Sequence, residues 1–292
     1  LKVRRKVRGS RVAPFFDALG GGAGPAGSAL AAACARKGAR VGLIDPKHGP
    51  WPAQYCAFAA DVPEAFTSSL SHRWQHIRMH SERPVRFTET YVRFDNVLTQ
   101  EQLRVPGIKN VVGLADEVRG QSVRVNGETL RADFVFDARG RAAGNAAAQT
   151  AYGEVLAGEH GWPLDEAVRM DFSPLHHDIA PTFVYVLPLA PDRLFIEETS
   201  LAARPCIPTD LLAIRLAERK ERLGLSGEIL ETENCFIPMG GPAPMPVSTQ
   251  DPIPFGAKAH FTHPATGFQL TRSLKAAPRL AAALTAPGRR SE

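Results

Sequence analysis

The sequence has no apolar run of roughly 18 residues or more, so none of it can cross a bilayer as a helix, and any membrane contact must be peripheral. Cysteine is sparse too. Cys34, Cys56, Cys206 and Cys235 lie far apart with no C-x-x-C pair, which argues against a zinc site or a disulfide framework and makes a reducing compartment the default. There are no internal repeats and no low-complexity linker. Excess positive charge is missing from all but the N-terminal end. Of the net +5, Lys2, Arg4, Arg5, Lys6, Arg8 and Arg11 supply six charges, and the remaining 29 basic residues face 30 acidic ones. A basic arm over residues 1–14 is not a basic face, so nucleic-acid binding has no support. Its composition suits the remnant of a transit peptide, a patch on anionic lipid, or a disordered leader. Leu1 in place of Met points to a fragment or a processed chain.

The 292 residues, 44% hydrophobic and 22% charged, suffice for one large or two ordinary globular domains. The first signal is local. An apolar run, Phe15 to Leu19, enters Gly20-Gly-Gly-Ala-Gly-Pro-Ala-Gly27, then an Ala-rich stretch to Arg36 that stops at Gly38. A second β-rich run, Ala39 to Ile44, ends on Asp45. Gly22, Gly24 and Gly27 form a G-x-G-x-x-G fingerprint between strand and helix, with the acid 18 residues on. This pattern predicts a dinucleotide site. Glycines admit the pyrophosphate, Pro25 and Ala26 open the helix whose free N–H groups face it, and Asp45 accepts from a ribose hydroxyl.

Further on, His72, His76 and His80 fall at helical spacing, but no fourth ligand matches them, so a solvated stripe is the expectation rather than a metal. Segments 85 to 94, 108 to 112, 122 to 126 and 129 to 136 read as a small β-rich excursion. It returns to a buried strand whose Asp137 and Gly140 are expected to face the cofactor. From Ala146 four strand-like segments, 152–156, 168–172, 183–189 and 194–198, predict an antiparallel sheet. Thr209 or Asp210 then caps a helix through Leu223, with Leu212, Leu216 and Leu223 on its apolar side. A last helix, Phe268 to Leu284, is expected to break near Pro278.

The stretch Asp192-Arg-Leu-Phe-Ile-Glu-Glu-Thr-Ser200 places two carboxylates at a strand end. Neighbours on a strand point to opposite faces. Phe195, Glu197 and Thr199 therefore share one face, and Leu194, Ile196, Glu198 and Ser200 the other. The first resembles a polar and aromatic cavity wall, making Glu197 the candidate proton donor, its pKa raised by desolvation. Glu198 is assigned a supporting role.

These residues resemble a known family, the FAD-dependent lycopene cyclases of plant and cyanobacterial type. The resemblance rests on Gly22-Ala-Gly-Pro-Ala-Gly27, Leu43-Ile-Asp-Pro46, Trp51-Pro-Ala-Gln-Tyr55, Phe195-Ile-Glu-Glu-Thr-Ser-Leu201, Pro238-Met-Gly-Gly241 and His263-Pro-Ala-Thr-Gly267, in family order. Trp51-Pro-Ala-Gln-Tyr55 differs from the family's W-P-N-N-Y at both amides, and Arg93-Phe-Asp-Asn96 stands where R-V-D-R is usual. The resemblance implies an α/β fold: a Rossmann-like FAD-binding domain of the glutathione-reductase and p-hydroxybenzoate-hydroxylase kind, interleaved with an antiparallel β-sheet substrate domain. On this chain it divides as residues 15–145 with 235–292 for FAD and 146–234 for substrate, and the family's further C-terminal helices are missing.

The implied activity is isomerisation of a linear, lycopene-like carotenoid to β end groups without net redox change, on reduced FAD with NADPH as electron donor. Glu197, with Glu198 beside it, is the implied acid/base. FAD contacts extend to Gly256, Ala257, His263, Pro264, Ala265, Thr266 and Gly267, and substrate contacts to Phe195, Met239, Gly240 and Gly241. A peripheral position on a membrane surface is implied, in a plastid if the source is eukaryotic and on the cytoplasmic face of a bacterial membrane otherwise. The alternatives are an FAD- and NADPH-dependent monooxygenase or isoprenoid reductase of the same fold, and an inactive fragment or paralogue that only binds flavin.

Overall fold

The computed structural model describes residues 15–140, 147–173, 181–240, 246, 248 and 250–286. The N-terminal part runs β1 (Phe15–Gly21), α1 (Pro25–Arg36), β2 (Val41–Asp45), β3 (Cys56–Phe58), β4 (Leu70–Trp74), β5 (His76–His80), β6 (Pro84–Phe87) and β7 (Tyr91–Phe94). Next come α2 (Asn96–Leu103), β8 (Ile108–Val112), β9 (Ala115–Arg119), β10 (Ser122–Val125), β11 (Glu128–Asp137), β12 (Ala148–Ala157), β13 (Glu166–Asp171), β14 (Thr182–Ala190) and β15 (Arg193–Ser200). The chain closes with α3 (Thr209–Arg222), β16 (Glu228–Pro238), β17 (Ile253–Pro254) and α4 (Leu270–Leu284).

The first sheet has the order β8-β2-β1-β11-β10-β9, with β17 also on β11. Strands β8, β2, β1, β11 and β17 are parallel, while β9 and β10 pair antiparallel at the edge. A parallel strand covered on both faces needs apolar residues on both, which is why Phe16, Ala18 and Leu19 are all buried. Helix α1 lies on this sheet with α4 packed against it, and Leu30, Ala31, Ala32 and Cys34 have no exposure. Its run of alanines lets the sheet and α4 close in from both sides.

The second sheet has the order β16-β12-β15-β14-β13-β5-β6, and a three-stranded sheet β3-β7-β4 packs on it. One face joins Val155, Leu187 and Phe195 to Trp74 and Tyr91 of the small sheet, and Trp74 Nε1 donates to the Pro188 carbonyl at 3.0 Å. The opposite face buries Val168, Val184, Leu194 and Ile196 under Leu216 of α3. Full burial of such a side chain stabilises by about 1.5–3 kcal/mol, so α3 is fixed by that face.

Several expectations are corrected. His72 lies on β4 and His76 and His80 on β5, not on a helix. Their i, i+4 spacing is crossed by the break between the two strands, and each ring meets its own partner: His72 the Leu189 carbonyl, His76 Asp165 and His80 Asp171. Strand β8 is a member of the parallel sheet and not part of an excursion. Strands β5 and β6, expected with the first unit, pair into the second sheet through β13. Pro208, not Thr209 or Asp210, is the N-cap of α3, and Leu223 follows its last turn at 43% exposure. Helix α4 continues through Pro278. The ring faces solvent, and burial of Leu274, Ala277 and Ala281 outweighs the roughly 3 kcal/mol that an internal proline costs. The basic arm, residues 1–14, lies outside the described residues.

Candidate functional site

At the C-terminal ends of β1 and β2 the chain builds an anion cradle. Gly22 has φ +94, which disfavours any side chain, and a Cβ there would meet the Ala138 carbonyl oxygen at 2.6 Å. A Cβ on Gly27 would lie 1.8 Å from the Gly22 carbonyl oxygen, so the turn closes on α1 only with glycine. In front of Gly24, by contrast, nothing lies within 4 Å. Gly24 caps α1 without a side-chain bond, Pro25 occupies its first turn, and no acid stands there. The helix N-terminus therefore presents free N–H groups and the positive end of its dipole to open space. Asp45 lines the same space and accepts from the Ala23 N–H at 2.8 Å, while Trp51 Nε1 donates to the Ala23 carbonyl at 3.1 Å. Both brace the loop.

The cradle opens into a cavity of about 640 Å³ between the two large sheets. Of the residues singled out from sequence, Gly22, Gly24, Pro25, Ala26, Asp45, Gly140, Phe195, Glu197, Ala257, Thr266 and Gly267 line it. Gly27 does not, because it lies beneath Gly22. Asp137 does not face the cavity either. Its carboxylate takes Arg139 Nε at 2.9 Å and a second guanidinium nitrogen at 2.8 Å, and it is Arg139 that lines the wall. Burial opposes ionisation of Asp137, but the Arg139 hydrogen bonds and charge hold it below the ordinary carboxylate value. Gly256 sits behind Ala26, where a Cβ would approach the alanine methyl at 2.4 Å. His263 shapes the turn that carries Thr266 and Gly267, its carbonyl accepting from both amides, whereas Pro264 and Ala265 are exposed. Met239 is buried outside the cavity, Gly240 is exposed, and Gly241 lies outside the described residues. Phe236, Ile237 and Pro238 line the wall instead.

Strand alternation sends Phe195, Glu197 and Thr199 into the cavity. Glu198 goes to the α3 face with no exposure, where Arg219 Nε meets Oε2 at 2.6 Å and a second Arg219 nitrogen meets Oε1 at 3.0 Å. Glu197 accepts from Thr199 Oγ1 at 2.7 Å. Burial first, and nearby Glu233 second, push the Glu197 carboxyl up to about 8, with the Thr199 bond opposing and Glu198 adding. In that environment Glu197 holds its proton more tightly than an ordinary glutamate.

The sequence assigned no site role to Glu233, Cys235, Tyr55, Tyr185, Gln149 or Phe268, all of which line the cavity. The parity of β16 places Glu233 and Cys235 on one face, but which face turns inward depends on pairing with β12, which is non-local. Arg169 of β13 was also missed. It is 4% exposed, and its guanidinium sits over Tyr91 at 4.9 Å, Phe268 at 5.0 Å and Phe58 at 5.1 Å, behind the cavity wall.

A glycine-rich strand, turn and helix opening into a cavity walled by an antiparallel sheet is a fold shared with solved flavoproteins, among them the flavin-dependent brominase Bmp2, which superposes with a TM-score of 0.65 at 16% identity over 93% of this chain and 79% of that one. A geranylgeranyl bacteriochlorophyll reductase-like protein from Thermoplasma acidophilum superposes with a TM-score of 0.71 at 17% identity, covering 92% of this chain and 78% of that one, a likeness of fold. The family model described as lycopene cyclase protein matches residues 19–292. Lycopene beta cyclase of Synechococcus elongatus is 34% identical, the match covering 93% of this chain and 72% of that relative. The chain belongs to the lycopene cyclase family. Lycopene beta cyclase, chloroplastic, of an Oncidium hybrid cultivar is 30% identical over 94% of this chain, and the chain spans 64% of that protein's length.

Proposed function

We propose that the protein cyclises the ψ end groups of a lycopene-like carotene to β rings by proton-initiated isomerisation, as a flavoprotein using FAD reduced at the expense of NADPH. The observation that carries this reading is the buried Glu197 carboxyl, its pKa raised by burial, in the same cavity as the dinucleotide cradle. A proton donor to an olefinic carbon must keep its proton at working pH and sit away from water. Glu197 meets both conditions.

Gly22, Gly24, Pro25 and Ala26 would hold the pyrophosphate of FAD and Asp45 its adenine ribose, with Arg139, Gly140, Ala257, Thr266 and Gly267 along its length. When bound in reduced form, the flavin supplies a negatively charged ring that stabilises positive charge nearby. The protein's own work is the proton. Thr199 orients the Glu197 carboxyl, Phe195 and Phe268 supply apolar wall for the polyene, and Glu198, locked to Arg219 on the other face, fixes the strand that carries Glu197.

The substrate is a hydrocarbon dissolved in a bilayer, so the protein works as a peripheral protein at a membrane surface. By analogy with relatives whose names read chloroplastic or that come from a cyanobacterium, that surface is a plastid membrane or the cytoplasmic face of a bacterial one. A second reading, suggested by the name of the reductase-like protein that shares the fold, is reduction of an isoprenoid double bond. One experiment tests both. Protein loaded with FAD is given NADPH and lycopene in liposomes. Cyclisation predicts β-ring products in molar excess over NADPH consumed; reduction predicts saturated product with one NADPH for each double bond, and the absence of any cyclic carotene overturns the first reading.

A further inference from the structure

Strands β15 and β16 do not touch; β12 runs between them. Gly153 of β12 is in register with Glu197 on one side and with Glu233 on the other. Because residue 153 has no side chain, the Phe195 ring and the Glu197 Cβ pack over it, and the two carboxylates flank that spot from either neighbouring strand. One carboxylate oxygen of each and Cys235 Sγ lie within 4.8 Å of one another. Glu233 is fixed by two bonds: the Gln54 N–H donates to Oε2 at 2.9 Å and Cys235 Sγ donates to Oε1 at 2.8 Å. Both carboxylates are buried, Glu197 at 9% and Glu233 at 6% exposure, and both line the cavity.

We propose that Glu233 is the second catalytic residue of the cyclisation, sharing one proton with Glu197 so that Glu197 donates it to the substrate and Glu233 takes back the proton that the ring loses. This rests on the cyclase reading above. The step balances without any co-reactant. The Glu197 O–H bond breaks as a C–H bond forms on the terminal olefin, and the resulting tertiary cation is attacked by the next double bond, forming the ring C–C bond. A C–H bond beside the new cation then breaks, its electron pair becoming the ring double bond and its proton passing to Glu233. The carbon that gains the proton and the carbon that loses it are both bonded to the same ring carbon, hence about 2.5 Å apart at ordinary bond lengths and angles. A carboxylate pair at the spacing seen here reaches both, whereas a single carboxylate must release and retake the proton within one turnover.

Two adjacent buried carboxylates do not both ionise, and burial raises Glu233 as it does Glu197. The surroundings leave the shared proton in place. Tyr55, Tyr185 and Cys235 are pushed up by burial and stay neutral. Arg93, from β7, draws Glu233 down, and Glu231 on the same strand as Glu233 opposes it.

The test is an infrared titration of the FAD-loaded full chain with labelled glutamate, beside turnover assays. The wild type should show one carboxyl C=O band that persists above pH 7, is lost in Glu197→Gln, and titrates at least one pH unit lower in Glu233→Gln. Glu233→Gln keeps an acceptor for the Gln54 N–H, so flavin binding and KM should hold while kcat falls more than tenfold, and the residual product should include hydrated or misplaced-double-bond species from cations that found no base. Wild-type protein in which both glutamates are ionised at pH 6.5 overturns the proposal whether or not the variant folds. So does a Glu233→Gln enzyme with unchanged rate and product. A shared proton in protein that makes no cyclic carotene keeps the pair and refutes the cyclase reading instead.

Discussion

Glu197 and Glu233 meet across a strand to which both are hydrogen-bonded neighbours, and the residue between them, Gly153, is in register with each. The proposed proton pair depends on that missing side chain. A Cβ at 153 would lie 2.9 Å from the Phe195 ring and 3.2 Å from the Glu197 Cβ. Gly153→Ala should therefore displace Phe195 and part the carboxylates, at a cost of about 1–3 kcal/mol in stability and more than tenfold in turnover. Flavin affinity should be unchanged, because the cradle is built from other elements. Thermal unfolding, flavin titration and product assay together check it.

Glu198 and Arg219 are both nearly inaccessible, at 0% and 4% exposure. Arg219→Ala would leave a buried carboxylate without its partner, which typically costs about 3–5 kcal/mol. Replacing both residues with leucine should recover most of that loss. Denaturant midpoints for the two variants measure the difference.

The raised Glu197 carboxyl carries a sign for stability. The folded chain keeps that proton up to about 8, while the unfolded chain releases it near the ordinary value of 4.5. Between those limits the folded state binds more protons, so stability falls as pH rises through the window and levels off above it. Glu197→Gln should flatten this slope, gaining on the order of a few kcal/mol at pH 8 and little at pH 4. Melting temperatures across that range test the sign.

Gly27→Ala forces a methyl onto the Gly22 carbonyl oxygen. The expected outcome is protein purified without flavin and with a lowered melting temperature, because the turn proposed to hold the pyrophosphate cannot close. Flavin absorbance per chain reports it directly.

What could be read in the sequence was local. The cradle from Gly22 to Gly27 with Asp45, and the facing of Glu197 and Glu198, follow from strand, turn and helix signals within a few residues of one another, and the structure has both arrangements. What could not be read was non-local. Glu233 enters the cavity only because β16 pairs with β12, and β5 joins the second sheet through a parallel pairing with β13, about 90 residues away in sequence. The histidines misled because i, i+4 spacing is silent about a break between two short strands. Pro278 misled because packing against α1 overrides one lost hydrogen bond.

The account's central claim is that Glu197 delivers a proton to carbon. A single turnover by the FAD-loaded protein equilibrated in deuterium oxide, before any proton returned by the ring can be used again, followed by mass spectrometry of the carotene, tests it most directly. The predicted result is one deuterium retained per ring formed, with no label and no ring from Glu197→Gln. Unlabelled rings, or labelled rings formed equally by Glu197→Gln, would contradict it.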